Sequence, residues 1–433
     1  MKSCFAWILS MLIQLPLASQ TPTALTTKLD QEAVSIEQKV ISLRRDFHKH
    51  PELSNREFNT GKKIASLLTD MGLEVKYPVA RTGVVALLKG SKPGPVVALR
   101  ADIDGLPVNE RNGLPFQSKE RSNYNGMETG VMHACGHDSH MAILLGVAEI
   151  LSRHKADLKG TVKFIFQPAE EGPPAGEEGG AALMVKEGVL ENPKVDVIFG
   201  LHIQSLIPLG QIALRPEGLM AAEDALDIKV TGVGAHGATP WDSVDPIMVS
   251  AQILNGLQTI VSRQSELTKA PVVITIGSIH GGIRSNIIPE VVTMQGTIRT
   301  FDVGMQKLVH EKIKQTATRI AESAGAKAEV TFVFDAPVTY NDPSLVQKMT
   351  PSLQRAANGN IITVAPTTMA EDFAFFQEKV PGIFFFLGAN PTSMKLEKAP
   401  VHHTADFMID ERAFVTGVKG LLNLTVDYMY ARK

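Results

Sequence analysis

The sequence predicts an α/β domain interrupted by a smaller inserted domain. Three observations lead there. Apolar runs of strand length alternate with helical patterns over the first 216 residues. From Glu217 the order becomes strand, helix, strand, strand, helix, strand. After Val338 the first pattern resumes, with an apolar strand over residues 383–387.

Each element has its own signal. Residues 29–45 place Val34, Ile36, Val40, Ile41 and Leu43 among charges at helical spacing. Pro51 disfavours helix at the residue before it. Residues 62–71 form a second helix, closed by Gly72. Residues 84–88 and 96–99 read as strands, and the second is an apolar run suited to a sheet covered on both faces. An apolar helix over 141–152 and strands over 161–166 and 195–201 continue the alternation, which argues for a largely parallel sheet. The insertion reads as strand 225–232, helix 245–261, strands 272–279 and 291–299, helix 305–323 and strand 328–334. That is the β-α-β-β-α-β order of a ferredoxin-like unit. The expected division is 29–216 with 336–433 around an inserted 217–335.

Composition narrows the function. The chain has 433 residues, 43 Lys plus Arg and 45 Asp plus Glu, for a net charge of −2. Hydrophobic residues make up 44%, enough to offset chain entropy, so a disordered protein is excluded. With no basic excess to neutralise phosphates, nucleic acid is not an expected partner. At the N-terminus Lys2 precedes an apolar run over residues 5–17, and Ala18 and Ser19 follow. This is the pattern of a secretory signal peptide over residues 1–19. The run is short for a membrane span, which takes about 20 apolar residues. An exported protein, periplasmic or secreted and free of the membrane after cleavage, is therefore expected. Cleavage removes Cys4 and leaves Cys135 as the lone cysteine.

Four runs can carry chemistry. In Val-Met-His-Ala-Cys-Gly-His-Asp-Ser-His, Cys135 and His137 stand two apart. Side chains at i and i+2 diverge on a helix, so a shared ligand role needs turn backbone, which Gly136 permits. Thiolate and imidazole suit a borderline-soft metal, and Asp138 can fix a ring tautomer or cap the following helix. Glu170 and Glu171 follow a strand directly, so one can bind a cation while the other faces a bound water. His202 ends a buried strand, where open α/β sheets place ligands. Of the adjacent His402 and His403, one can reach a site. Together these supply ligands for two metal ions and a spare carboxylate base. The insertion adds His236 in a glycine-rich turn, and Arg284 and Asn286 before a strand, as donors for an oxyanion or a carboxylate.

These runs resemble the aminoacylase/carboxypeptidase-like metal-dependent amidohydrolases, the branch with hippurate hydrolases and indole-acetyl-amino-acid hydrolases. The matching stretches begin at Arg44, Arg100, His133, Phe166, Gly200, Gly234, Ser285, Ala370 and His403, in order along almost the whole mature chain. The resemblance implies a zinc-peptidase-like catalytic domain with an inserted ferredoxin-like lid or dimerisation domain. It implies a two-metal site with Cys135, His137, Glu171, His202 and His403 as ligands and Glu170 as general base. His236 then stabilises the tetrahedral intermediate, across a homodimer interface in related enzymes, and Asn286 lines the substrate site. Zinc or manganese is expected, with nickel or cobalt able to serve. Ala405 stands where this branch usually has proline, and Gly105 where it has alanine. Asp102 and Asp104 read as structural or supporting groups.

The expected reaction is hydrolysis of an N-acyl amino acid. A dipeptidase or carboxypeptidase uses the same site on a short peptide. A solute-binding protein would also close two lobes on a ligand but has no use for Glu170.

Overall fold

The computed structural model describes residues 24–431, so the expected signal peptide lies outside the described residues. An eight-stranded sheet organises the larger domain. At its centre four strands run parallel: Lys159–Gln167, Lys92–Asp102, Val197–Gln204 and Gly382–Gly388, in that spatial order. Antiparallel neighbours flank them, Gly83–Lys89 on one side and Ile212–Leu214 on the other. The parallel core is thus four strands wide, as the buried apolar runs imply.

Both faces of that core are covered. Val197, Phe199, Leu201 and Ile203 join Val97, Leu99, Phe385 and Leu387 in one apolar cluster with the long helices. Ile198, Ala98, Phe384 and Phe386 point the other way, into a second cluster with Phe373 and Phe376. This period-two division is the pleat of a strand buried on both sides. Helix His137–Arg153 lies against the first face, buried from His137 through Leu151. The helix expected over 29–45 is two, Ala24–Ser35 and Glu37–Lys49, divided at Ile36.

The inserted domain has a four-stranded antiparallel sheet in the order Val272–Gly281, Val291–Thr300, Ala222–Thr231, Lys327–Ala336. Helices Pro246–Thr259 and Val303–Ser323 bury Val249, Ile253, Val309 and Ile313 in one core with it. The two chain crossings between domains meet as a short antiparallel ribbon, Glu217–Met220 against Thr339–Asn341. Glu217, expected within the insertion, therefore stands in this ribbon.

Candidate metal centre

The carboxyl ends of the four parallel strands deliver one cluster. Asp102 ends the first of them in sequence and Asp104 follows it, Glu170 and Glu171 follow the second, His202 lies two residues before the end of the third, and His403 stands in the loop beyond the fourth. Cys135 arrives from the turn before helix His137–Arg153. Gly136 takes a φ of 97° there, and a Cβ on it would stand 2.4 Å from Ile203 Cγ2, so no other residue fits the turn unstrained. Gly200 has a similar reason: a Cβ would lie 2.9 Å from the Phe373 ring.

The contacts are short. Cys135 Sγ lies 3.3 Å from Nε2 of His202 and 3.3 Å from Nε2 of His403. His403 Nε2 stands 3.2 Å from Glu171 Oε1. His137 Nε2 is 3.6 Å from Glu170 Oε2 and 3.8 Å from Glu171 Oε1. Donor atoms of Cys135, His137 and His202, and of Cys135, Glu171 and His403, form groups within 4.8 Å. All five ligands expected from sequence thus lie together, with Glu170 beside them.

The rings are held so that one nitrogen of each faces inward. His137 Nδ1 donates to the Asp104 carbonyl at 2.9 Å and lies 3.1 Å from its carboxylate. His202 Nδ1 donates to the Ile203 carbonyl at 2.7 Å. Each leaves a lone pair on Nε2, the arrangement that supports a metal-bound imidazole. The His137 Nε2 atom is buried and lacks any hydrogen-bond partner, and Glu171 Oε1, also buried, has only the 3.2 Å contact with His403 Nε2 and the 3.8 Å contact with His137 Nε2 described above. A buried orphan acceptor is costly, and a cation in the cluster would satisfy both. Thiolate, imidazole and carboxylate donors fit zinc or another first-row divalent ion.

Electrostatics point the same way. Burial and the charges of Glu171 and Glu170 push the Cys135 thiol well up. Burial, then Glu371 and Glu171, push Glu170 well up. His137 is raised to about 10, because Asp102 and Asp104 outweigh the burial that opposes its charge. Asp102, Glu170, Glu371 and Asp372 all face one buried guanidinium, that of Arg100, a crowding of acids expected where a further cation belongs.

Other residues are already committed. His140 receives the Ile203 N–H at 2.9 Å and bonds Asp102 at 2.6 Å, so neither nitrogen is free. His402 Nε2 bonds the Ile203 carbonyl at 2.9 Å, and burial lowers the ring to about 3. His403, with φ of 62°, turns the other way into the cluster. Asp138 neither caps the helix nor fixes the His137 tautomer: its carboxylate binds Arg44 at 2.8 Å and His48 at 2.7 Å. Asp104 fixes that tautomer instead.

Sequence reasoning gave Glu371 and Asp372 no role. Both ion-pair with the buried Arg100, at 2.9 and 3.0 Å, and their carboxylates group with that of Glu170. The repeated acid pair in Ala-Glu-Asp-Phe-Ala was the available signal.

His236 and Asn286 stand elsewhere. They line a cleft of about 730 Å³ whose walls, Gly234 to Glu290, all belong to the inserted domain. Among the described residues no hydrogen bond or ion pair joins them to the cluster. His236 Nδ1 accepts the Ala238 N–H at 3.0 Å, which leaves the ring proton on Nε2 as an outward donor.

Comparison with known proteins gives a consistent picture. The model of peptidase family M20/M25/M40 matches residues 98–426. Thermostable carboxypeptidase 1 of Saccharolobus solfataricus is 39% identical over 406 residues, 93% of this chain and 99% of that protein. N-acetylcysteine deacetylase of Bacillus subtilis is 39% identical over 390 residues, covering 90% of this chain and 96% of its own. The Bacillus subtilis YXEP crystal structure, described as a dinuclear metal binding peptidase, superposes with a TM-score of 0.76. It is 35% identical and covers 92% of this chain and 99% of its own.

Proposed function

The chain belongs to peptidase family M20/M25/M40, and on that premise we propose that it hydrolyses the amide joining an acyl group to an amino acid. The carrying observation is the convergence of Cys135, His137, Glu171, His202 and His403 around an orphaned buried acceptor, with Glu170 adjacent. These five residues would hold two divalent ions, whose Lewis acidity lowers the pKa of water and polarises the substrate carbonyl.

The remaining work falls to the protein. Glu170 takes the proton of the attacking water and passes it to the leaving amine. Its burial among acids favours the proton it must accept. His236 Nε2–H offers the developing oxyanion a hydrogen bond, and Asn286 adds a second polar group to the same cleft.

His236 reaches a cluster by association of two chains. Exposed apolar side chains line its cleft, Ile283 at 97% and Ile287, and the inserted domain exposes Val233, Trp241 at 77%, Ile247 and Met248 as well. Apolar exposure of that kind supports a homodimer formed through the inserted domain. Export follows from the N-terminal run alone.

The thermostable carboxypeptidase relative favours a second reading, peptide-bond cleavage at the same site. A panel of N-acetyl amino acids, N-benzoyl amino acids and dipeptides separates the two. Zinc-, manganese-, nickel- and cobalt-loaded protein should each be assayed, with chelated protein as control. Preference for acyl amino acids supports the first reading, and preference for dipeptides overturns it.

A further inference from the structure

We propose that residues 367–372 form a strap that carries the setting of the inserted domain to Glu170, with Arg299 and Thr339 as positioning residues. The inference rests on the reading of Glu170 as base.

The strap is tied at one end to both chain crossings. Ala221 N–H donates to the carbonyls of Thr367 and Met369, at 3.1 and 2.9 Å. Thr367 N–H donates to Leu219 O at 3.0 Å. Arg299, on the inserted strand Val291–Thr300, donates from Nε to Thr368 O at 3.2 Å. Thr339, in the second crossing and fully buried, donates from Oγ1 to Glu371 O at 3.3 Å.

The other end of the strap is tied to the base. Arg100 holds Glu371 and Asp372. Asp372 also accepts both 2.7 and 2.8 Å hydrogen bonds from Gln167 Nε2, three residues before Glu170. Gln167 Oε1 in turn accepts from Arg100 Nε at 2.8 Å. The Glu371 carboxylate stands beside that of Glu170 and keeps Oε2 buried without a partner. A displacement of the strap therefore moves the wall against which Glu170 rests and the strand end from which it departs. Catalysis tolerates little such movement, since a misplacement of about 1 Å can cost roughly a hundredfold in rate.

The other clusters do not reach as far. Gln306 and His310 both bond Asp224 inside the inserted domain, and Lys163 is satisfied by three backbone carbonyls.

The test compares Arg299→Ala and Thr339→Val with Thr339→Ser, and with Glu170→Gln in parallel, on the best substrate of the panel. Metal per chain is measured for every variant. The strap account expects kcat to fall at least fivefold in Arg299→Ala and Thr339→Val. KM should stay within twofold and metal content unchanged, and Thr339→Ser should restore most of the rate. Wild-type kcat in both variants, beside an inactive Glu170→Gln, would overturn the strap alone. Loss of rate that follows loss of metal would also overturn it, as damage to the centre. An active Glu170→Gln would overturn the base assignment and remove the strap's target. Should Thr339→Val not fold, the partly exposed Arg299 still decides.

Discussion

His403 Nε2 stands 3.3 Å from Cys135 Sγ, across 268 positions of sequence. The whole inserted domain lies between them in the chain. Their meeting depends on the closing of the parallel sheet, and His403 N–H fastens the C-terminal loop to the Ala134 carbonyl at 2.9 Å. The candidate centre is therefore a product of the tertiary fold: Cys135 and His137 come from the start of one helix, and Glu171, His202 and His403 from or beyond three strands of the sheet.

The two adjacent histidines should behave differently. His403→Ala removes a group from the cluster and is expected to lower bound metal and activity together. His402→Ala removes a ring that bonds the Ile203 carbonyl and packs against His202 and Phe407 but puts no nitrogen into the cluster. It should keep metal and lose little rate. Metal analysis of the two purified variants checks this.

Asp104 acts on the centre through His137. Replacing it with Ala leaves the backbone carbonyl that accepts from Nδ1 at 2.9 Å but removes the carboxylate, 3.1 Å away, whose charge makes the imidazole a stronger ligand. Metal affinity should fall about 10- to 100-fold, measured by competition with a chromogenic chelator. An affinity equal to wild type would contradict that role.

Metal binding should release protons. His137 is raised to about 10 and Cys135 is raised as well in the metal-free protein, so both carry a proton at neutral pH. Each must lose it to become a ligand. Apparent affinity therefore rises with pH, by about tenfold per unit for each proton displaced. Titrations at pH 6, 7 and 8 show the slope, and a flat profile would contradict it.

Arg44 secures Asp138 beside the ligand helix. Both are buried, with Nε to Oδ2 at 2.8 Å. Arg44→Ala strands a buried carboxylate with His48 as its remaining charged partner. The expected cost is about 3 kcal/mol, read by urea unfolding of the metal-free protein.

Much of the fold was written in local pattern. The continuous burial of Val197–Gln204 and the β-α-β-β-α-β order of the insertion both appear in one dimension. The candidate ligands were legible as residue types, since a thiolate, imidazoles and carboxylates in turns and near strand ends are few. What stayed hidden depends on direction. Spacing cannot say that His403 takes a left-handed backbone while His402 folds back. Nor can it say that Asp138 turns toward Arg44 and leaves His137 to Asp104. Glu371 and Asp372 showed only as an acid pair, because their meaning comes from Arg100, 271 and 272 positions away. His236 and Asn286 were legible as donors, but their distance from the cluster within one chain is a property of domain placement.

The most direct test of the account is Glu170→Gln, assayed for both bound metal and turnover. Gln keeps the shape of the side chain but cannot take a proton. The account expects metal content equal to wild type and kcat lower by about a hundred- to ten-thousand-fold. Turnover near the wild-type rate with metal retained would contradict it.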